Sequence, residues 1–419
     1  MKITQTKIYP WLLVISYSLM GILFPAAVTQ FSMVVDDLAE IFEVNKSIIL
    51  TTDTVRAVCL VAAMFFGGII SNRLGLKKTM ALGISFQVIP QLLMPLAISM
   101  KSLPMLFLLK GLQGLNAMAF PLYISSIVMW MSSKYIALAT AIFNGSFAAG
   151  SGIGAFIAGK IIPAFGVSAS FTVIGAACGI LAVPALILTH EKTEDRRIRR
   201  EPVKRKGSYI PIMRMPATWF LILALTANTW VTQSVTVDMS VFTAGMGFGY
   251  SERGSFMLWV SIITVGSSIA AGAVSDYFAA KSDKPLNARI AVMSIGYVLS
   301  FAASMFIVRS AGSGFVPLAL TTCTMIFGAS WAGGVFWSLP RLVYGSDDQV
   351  MGTAFCSGAS NIPNPIAPLV VGVVLGGRGL WQLGWGTCAV ISLLSLASLF
   401  ALTKRREPGV KGRNLETNI

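Results

Sequence analysis

Four ionisable residues lie inside long apolar stretches of this 419-residue sequence, where a charge is costly to bury. They are Asp53, Arg56, Lys110 and Asp238. A cation in a low-dielectric cavity attracts and orients a carboxylate, so Arg56 and Lys110 are candidates for binding an anion. A buried carboxylate can bind and release a proton, which makes Asp53 and Asp238 candidates for coupling protons to the movement of a solute.

The four residues are predicted to form one layer. Each lies roughly six to nine residues from the outer end of its helix, a depth of about 9–14 Å at about 1.5 Å per residue. Asp53 and Arg56 are three positions apart and share a helical face. Two other interpretations remain open: the four side chains pair as an outer gate or fix helix packing, or they are solvated at helix ends. The binding interpretation and the gate interpretation overlap, because a gate ion pair that breaks during transport is also functional.

The elements that position these residues are predicted to be membrane-spanning helices. The chain is 55% hydrophobic and 12% charged, with a mean hydropathy of +0.74, whereas soluble domains carry about 25% charged residues. Apolar runs of about 20 residues can cross a hydrocarbon core of about 30 Å, and their backbone polar groups are then satisfied within a helix. The predicted spans are residues 8–33, 47–71, 79–99, 104–131, 136–163, 168–189, 216–244, 254–280, 288–308, 314–340, 351–376 and 381–403.

The distribution of positive charge orients these spans. With the N-terminus inside, 24 of the 32 Lys and Arg residues lie in cytoplasmic segments and six lie outside, as the positive-inside rule requires. The net charge of +15 is therefore a topology signal rather than a nucleic-acid surface. The predicted organisation is a first six-helix bundle at 1–189, a basic cytoplasmic linker at 190–215, a second bundle at 216–403 and a cytoplasmic tail at 404–419.

The two halves also repeat a loop. Gly68 and Asn72 follow the second span, and Gly272 and Asp276 follow the eighth, each pair 204 positions apart. Duplicated six-helix halves are a recurrent design of transporters. Glycine permits close helix contact, and the polar cluster can tie a short loop to the neighbouring helix ends.

The segment Gly68–Lys78 resembles the loop signature G-x-x-x-D-R-x-G-R-[RK] of the major facilitator superfamily. Asn72 and Leu76 depart from it, whereas Asp276 retains the acid in the second copy. Lys110-Gly-Leu-Gln113-Gly114 is similar to the R-x-x-q-G signature of the same family. The resemblance covers nearly the whole chain and implies an all-α membrane protein of twelve transmembrane helices in two six-helix bundles, the major facilitator fold. The positions that match the implied cytoplasmic gate loop are Gly68, Asn72, Arg73, Gly75, Lys77, Lys78 and Asp276.

A narrower resemblance is to the anion:cation symporter branch of that superfamily. Phe120-Pro121 followed by Trp130 resembles the end of the fourth helix there. Phe336–Pro340 and then Gly352–Ala354 resemble the junction of helices 10 and 11. That branch also implies a cation in the first helix, and the first span has none.

Polar residues near the middle of the spans complete the candidate substrate site, since the resemblance implies a cavity lined by helices 1, 4, 7 and 10. For each residue singly, a hydrogen bond between helices is an equal alternative. Prolines around Asn361 predict a kink that frees carbonyls at a cavity or hinge. The candidates are Tyr17, Gln30, Asn116, Asn144, Asn228, Gln233, Trp331, Trp337 and Asn361.

The sequence therefore predicts a secondary active transporter that moves a small organic anion with protons or another cation by rocking one half against the other. Two alternatives remain: a proton-coupled exporter of amphipathic compounds, and a transporter-like receptor for a solute. No catalytic, metal or cofactor site is expected, because His190 is the only histidine and no phosphate-binding glycine loop is present. The expected setting is a monomer in the cytoplasmic membrane, with both termini inside and no nucleic-acid partner.

Overall fold

The structure is a computed structural model that describes residues 8–131, 136–190, 210–336, 338–344, 352, 355–356 and 358–404. These residues are almost entirely helical, with no strand among them. Most of the predicted linker and all but the first residue of the predicted tail lie outside the described part of the chain.

The first half of the chain, called here the N-half, has seven helices among its described residues. Proline stands in the first turn of several of them, where its missing N–H has no helical partner to lose, and Asn45 caps the third by accepting from the Ser47 N–H at 2.9 Å. The helices are α1 (Tyr9–Met33), α2 (Val35–Ile41), α3 (Lys46–Leu74), α4 (Leu76–Ser99), α5 (Leu103–Gly114), α6 (Phe120–Trp130) and α7 (Ile136–Leu188), with a 3-10 turn (Leu115–Ala119) between α5 and α6.

The second half, called here the C-half, follows the same pattern of long antiparallel helices. One stretch departs from α-helical hydrogen bonding: after three prolines within six residues, the chain continues as a π-helix. The elements are α8 (Ile210–Arg214), α9 (Pro216–Gly245), α10 (Tyr250–Ala280), α11 (Pro285–Gly312), α12 (Phe315–Phe336), α13 (Pro340–Val343), α14 (Pro363–Pro368), the π-helix (Leu369–Leu375), a 3-10 turn (Gly376–Arg378) and α15 (Trp381–Thr403).

The helix α7 is too long to cross a bilayer once. Its 53 residues would extend about 80 Å at about 1.5 Å per residue. Gly166 interrupts it with φ +81° and ψ 173°, a conformation that glycine adopts without steric cost. The chain therefore reverses at Gly166, between the predicted spans 136–163 and 168–189.

Ten helical segments among the described residues are long and apolar enough to cross a membrane. One of these segments, Gly145–Leu188, contains the break at Gly166. The segment that includes the π-helix is described only in part. The all-helical membrane fold predicted from the sequence is confirmed, and the count of twelve spanning helices stays a prediction.

The apolar cores show how the two halves meet. Below, the proximal end is the end of the bundle that contains Tyr9 and Thr403, and the distal end is the opposite end, which contains α2. Each half has its own buried cluster toward the proximal end. A third cluster joins residues of both halves, including Phe31 of α1, Phe242 of α9 and Met257 of α10, toward the distal end. The halves are thus packed together distally.

Glycines of α7 allow this distal packing. A Cβ at Gly154 would meet the backbone of Ala26 in α1. A Cβ at Gly152 would lie 2.7 Å from the carbonyl oxygen of Met257 in α10. The same helix therefore holds α1 of its own half and α10 of the other half at backbone contact distance.

Candidate functional site

Three of the four predicted ionisable residues form one buried ion cluster, which we call the cation cluster (Asp53, Arg56 and Lys110). Arg56 holds Asp53 with two parallel hydrogen bonds, Nε to Oδ1 at 2.7 Å and Nη2 to Oδ2 at 2.9 Å. The Lys110 Nζ lies 2.8 Å from the same Oδ1. The side chains of Asp53, Arg56 and Lys110 are 3%, 4% and 0% exposed. This paired arrangement also agrees with the gate interpretation of the sequence.

The cation cluster has an unbalanced charge. Two cations share one carboxylate, so the formal charge is +1 inside the apolar span. Aromatic rings supply part of the missing compensation: the Lys110 Nζ lies 3.6 Å from the centroid of the Phe31 ring, and the Arg56 Cζ lies 5.8 Å from that of Phe24. A ring quadrupole is a weaker partner than an anion, so the site favours a further negative charge.

Close contact between α3 and α5 brings the three charges together. A Cβ at Gly114 would collide with the main-chain carbonyl of Arg56 and would lie 2.7 Å from the Cβ of Cys59. Gly114 therefore lets the two backbones touch. Lys110 lies one turn earlier on the same face of α5, so its side chain reaches Asp53 on α3.

Asp238, the fourth predicted residue, lies apart from these ion pairs. It is fully buried in α9, and neither carboxylate oxygen has a hydrogen-bond partner among the described residues. It is close enough to Asp53 to interact with it electrostatically. A Cβ at Gly372 of the π-helix would meet the Asp238 carboxylate and would lie 3.4 Å from Leu50 of α3. Asp238 therefore lies where both halves and the π-helix meet.

A chain of buried side-chain amides crosses the N-half beside the cluster. We call it the glutamine relay (Gln113, Gln91, Gln30 and Ser170). Each Nε2 donates to the next side-chain oxygen, over 2.6 Å from Gln113 to Gln91, 2.7 Å from Gln91 to Gln30 and 2.8 Å from Gln30 to Ser170. The relay fixes α5, α4, α1 and α7 relative to one another. Gln30 was predicted to bind substrate, but here its amide is occupied between helices.

A second polar cluster closes the distal end. We call it the distal latch (Asp37, Tyr250 and Arg253). The Tyr250 hydroxyl donates to the Asp37 carboxylate at 2.5 Å. Arg253 Nη1 donates to the carbonyl of Met33 at 3.3 Å and to that of Ser240 at 3.0 Å, and its Cζ lies 4.6 Å from the Tyr250 ring centroid. The latch joins the α1–α2 corner of the N-half to α10 of the C-half.

The remaining polar candidates are mostly engaged in hydrogen bonds between helices. The Tyr17 hydroxyl lies 3.0 Å from Ser126 Oγ and 2.9 Å from Thr189 Oγ1, inside the N-half. Asn228 donates to the carbonyl of Ala329 at 2.8 Å, and Trp331 donates to that of Val292 at 2.8 Å.

Five other candidates remain. Asn361 Oδ1 accepts from Asn364 Nδ2 at 2.8 Å, next to the π-helix. Asn116 is buried, and Gln233 is half-buried. Trp337 and the side chain of Asn144 lie outside the described residues.

The predicted gate loop is partly visible. Arg73, Lys77 and Lys78 are exposed, and Gly75 has φ +87° between α3 and α4. The surroundings of Gly68 and the side chain of Asn72 lie outside the part of the chain that the structure describes.

In the second copy of the loop, the Arg289 guanidinium binds the Asp276 carboxylate at 2.7 Å and donates to Ser275 Oγ at 3.0 Å. This cluster ties the α10–α11 loop to its own helix ends, as the repeat predicts.

The partners in the glutamine relay and in the distal latch were not predicted from the sequence. Gln91 could have been noticed, because Gln87 and Gln91 place two amides on one face of an otherwise apolar helix. The latch had a weaker signal, because Asp37 and Tyr250 are 213 positions apart and lie in segments that look like ordinary solvated ends.

Comparisons with known proteins agree with this fold. The sequence profile described as Major Facilitator Superfamily matches residues 11–344. Two crystal structures of a bacterial homolog to the human lysosomal transporter Spinster are similar to this chain. The inward-facing, unoccupied form has a TM-score of 0.74 and 13% identity over 96% of this chain and 100% of that chain. The inward-facing, occupied form has a TM-score of 0.70 and 12% identity over the same shares. No curated protein matches the sequence.

Proposed function

The chain belongs to the Major Facilitator Superfamily and is a multi-pass membrane transporter, and we propose that it moves a small organic anion by alternating access, with a proton carried on Asp238. The membrane is the cytoplasmic membrane, with the termini inside. The proximal end then faces the cytoplasm and the distal end faces the outside.

The observation that carries this proposal is the unbalanced charge of the cation cluster. Arg56 and Lys110 share the single carboxylate of Asp53 in a fully buried position. A buried charge without a counterion is expensive in a membrane. A bound monocarboxylate would supply the missing negative charge and accept hydrogen bonds from both cations.

Asp238 is the residue that best fits the coupling role. Asp53 is held by two cations, so protonating it would break strong contacts. Asp238 has no hydrogen-bond partner among the described residues, and an ionised carboxylate in that state loses its hydration without replacement. Uptake of a proton removes this cost, and the site lies where the halves meet.

The packing of the halves supports the alternating-access part of the proposal. One buried core joins both halves distally, whereas the proximal cores belong to one half each. In the proposed orientation this is the state with the outside closed. Transport then requires the distal contacts to separate while the proximal ends of the halves approach.

A second candidate function is export of amphipathic compounds that have an anionic group. A ladder of edge-to-face aromatic rings runs from the Arg56 side of the cluster toward the proximal end. The centroid distances are 4.9 Å from Phe24 to Phe120, 4.9 Å from Phe120 to Phe147 and 5.2 Å from Phe147 to Phe143. Phe120 and Phe147 are only half-buried, so the ladder could contact the apolar body of such a compound.

The test uses purified protein in liposomes with an imposed proton gradient and a panel of radiolabelled small carboxylates. Gradient-driven uptake of at least one carboxylate is expected, with no change when Na⁺ is replaced by choline. Arg56→Gln and Lys110→Gln should each abolish that uptake without loss of folded protein. Transport of amphipathic dyes but of no small carboxylate would favour the second candidate. Near-normal uptake by a protein with Asp53 and Arg56 exchanged would favour a gate instead of a substrate site.

A further inference from the structure

The contact between the π-helix and Asp238 is unusually close. A Cβ on Gly372 would collide with the Asp238 Oδ1 and would lie 2.9 Å from its Cγ and 3.4 Å from Leu50 Cδ1. Gly372 is the fourth of seven residues in the π-helix Leu369–Leu375. π-Helical turns are rare and occur mainly at functional sites. The Asp238 carboxyl group of the C-half and the Leu50 side chain of the N-half therefore both lie close to the bare backbone at Gly372.

The surroundings of this carboxyl group supply little hydrogen bonding. Ser234 lies one turn before Asp238 on the same face of α9, and among the described residues its Oγ has only the Cys388 thiol, a weak partner, beside it. Buried polar groups are nearly always paired, so the unpaired Asp238 carboxyl group needs an explanation. A site that changes its protonation and hydration during the reaction cycle supplies one.

No charged side chain among the described residues forms an ion pair with Asp238. The titratable groups that interact with it electrostatically include Asp53 on α3 and the Cys388 thiol on α15. Arg56 and Lys110 are already engaged with Asp53. An ionised Asp238 would therefore lack a hydrogen-bond donor in this arrangement and would favour an opening that lets water reach it.

We propose that Gly372 is the positioning residue of the proton site: its bare backbone admits the Asp238 carboxyl group into the distal contact between the halves, so that this contact closes when the carboxyl is protonated and opens when it is ionised. The inference rests on the role proposed above for Asp238 and adds the mechanism by which its proton controls the outer gate.

The distal contact can be measured directly. A Cβ on Gly377, just after the π-helix, would meet the Ser47 hydroxyl at the start of α3. In the closed state, cysteines at positions 47 and 377 are therefore close enough to form a disulfide. The pair Ser47→Cys/Gly377→Cys joins the two halves, and a protease site placed within residues 191–209 separates unlinked halves on a non-reducing gel.

The first arm measures the cross-linking rate as a function of pH in full-length protein in liposomes. It compares the Ser47→Cys/Gly377→Cys protein with the same protein carrying Asp238→Asn in addition. Dividing the two rates at each pH cancels the pH dependence of thiol chemistry. With Asp238, the relative rate should fall as pH rises, by at most about tenfold per pH unit, the limit for one proton. A ratio that is constant across pH would overturn the inference.

The second arm tests the steric role of Gly372. Gly372→Ala should slow cross-linking at every pH, because the added methyl group drives the carboxyl out of the contact. Adding Asp238→Ala removes the carboxyl and should restore the rate. Gly386→Ala is the matched control, since nothing lies within 4 Å of a Cβ at that glycine of α15. The positioning role is refuted if Gly372→Ala leaves the cross-linking rate unchanged. It is also refuted if the folded double variant Gly372→Ala/Asp238→Ala does not recover that rate.

Failure of this inference is distinguishable from failure of the proposed function, because cross-linking needs no substrate. If Asp238→Asn abolishes gradient-driven uptake while the ratio of the two cross-linking rates does not change with pH, Asp238 couples protons without controlling the gate. If cross-linking responds to pH and no carboxylate is transported, the gate is correct and the anion assignment is wrong. Elution volume in size exclusion and the unfolding temperature are compared for every variant.

Discussion

At the scale of single residues, the three members of the cation cluster differ in what their removal does to the buried charge. Without Arg56, the remaining pair of Asp53 and Lys110 is neutral. Without Lys110, the pair of Asp53 and Arg56 is neutral. Without Asp53, two cations remain with no anion. The first two losses should therefore affect anion binding, and the third should affect stability.

Arg56→Gln is expected to abolish anion uptake while the protein remains folded. A hydrogen bond to a charged group contributes about 1.5–3 kcal/mol, so the Kd for the anion should rise roughly 10- to 100-fold. Binding is measured by calorimetry on purified protein, together with uptake in liposomes. Lys110→Gln should give the same phenotype. Wild-type uptake in either variant would rule out the substrate role of the cluster.

Asp53→Asn is expected to destabilise the protein, because removing one partner of a buried ion pair typically costs about 3–5 kcal/mol. The unfolding temperature should fall, and a saturating transported anion should raise it more than in the wild type, since the ligand supplies the missing charge. The double variant Asp53→Asn/Arg56→Gln restores the formal charge of +1 and should recover part of the loss. Equal stability of Asp53→Asn and wild type would contradict this account.

The sequence could identify these residues but not their pairing. An ionisable side chain in an apolar run is conspicuous, and spacing alone places Asp53 beside Arg56. Their contact with Lys110 depends on the approach of α5 at Gly114, which no local pattern specifies. From the sequence, Asp53 and Asp238 are equal candidates for proton coupling. In the structure Asp53 is ion-paired, whereas the Asp238 oxygens have no hydrogen-bond partner among the described residues.

At the scale of helices, the glutamine relay gives a test of how N-half packing is held. Gln91→Leu removes two hydrogen bonds and leaves Gln113 and Gln30 each with one unpaired amide group, at a cost of about 1–3 kcal/mol per group. The unfolding temperature should drop clearly. Gln87→Leu, one turn away on α4, is the control: among the described residues its amide atoms have no nitrogen or oxygen partner and only the Cys178 thiol, a weak one, so the change should be close to neutral. Equal effects of the two changes would refute the relay.

The contact of α7 with α1 gives a second test at this scale. A Cβ on Gly154 meets the Ala26 backbone, so Gly154→Ala should separate the helices and cost about 1–3 kcal/mol by overpacking. Gly145 lies on the same helix with nothing within 4 Å of its Cβ position. Gly145→Ala should therefore gain about 0.5–1 kcal/mol from helix propensity. Thermal unfolding of both variants measures the difference, and a stabilising Gly154→Ala would contradict the packing.

Helix boundaries were easier to predict than helix irregularities. The break at Gly166 falls in the short gap between two predicted spans, where hydropathy and glycine coincide. Prolines 363, 365 and 368 predicted a disturbed helix, and the structure has α14 followed by the π-helix there. Proline indicates that α-helical hydrogen bonds must change, but it specifies neither a π-helix nor the tertiary contact of Gly372 with Asp238.

At the scale of the whole molecule, the family resemblance drawn from short motifs is confirmed, because the superfamily profile covers residues 11–344. The conformational state could not be predicted in the same way. Both states of a transporter contain the same helices, and they differ in which ends of the halves touch. That difference is set by contacts such as Asp37 with Tyr250, between residues 213 positions apart.

The distal latch should therefore control the balance between the two states. Tyr250→Phe removes the hydrogen bond to the Asp37 carboxylate, which contributes about 1.5–3 kcal/mol to the closed state. Where open and closed forms are both populated, this corresponds to a shift of roughly 10- to 100-fold toward the distally open form. Cross-linking between cysteines at positions 47 and 377 should slow accordingly. Tyr277→Phe is the control on the same helix, since among the described residues the Tyr277 hydroxyl accepts a hydrogen bond only from the neighbouring exposed Lys281.

The double variant tests whether Tyr250 and Asp37 act as one contact. Asp37→Asn alone should also slow cross-linking, because a neutral amide oxygen accepts a weaker hydrogen bond than a carboxylate. If the two residues act through their mutual hydrogen bond, Tyr250→Phe/Asp37→Asn should be no slower than the slower single variant, since the interaction can be lost only once. Additive effects would mean that each residue holds the halves by a separate contact. Arg253 would then be the remaining link between α10 and the carbonyl of Met33.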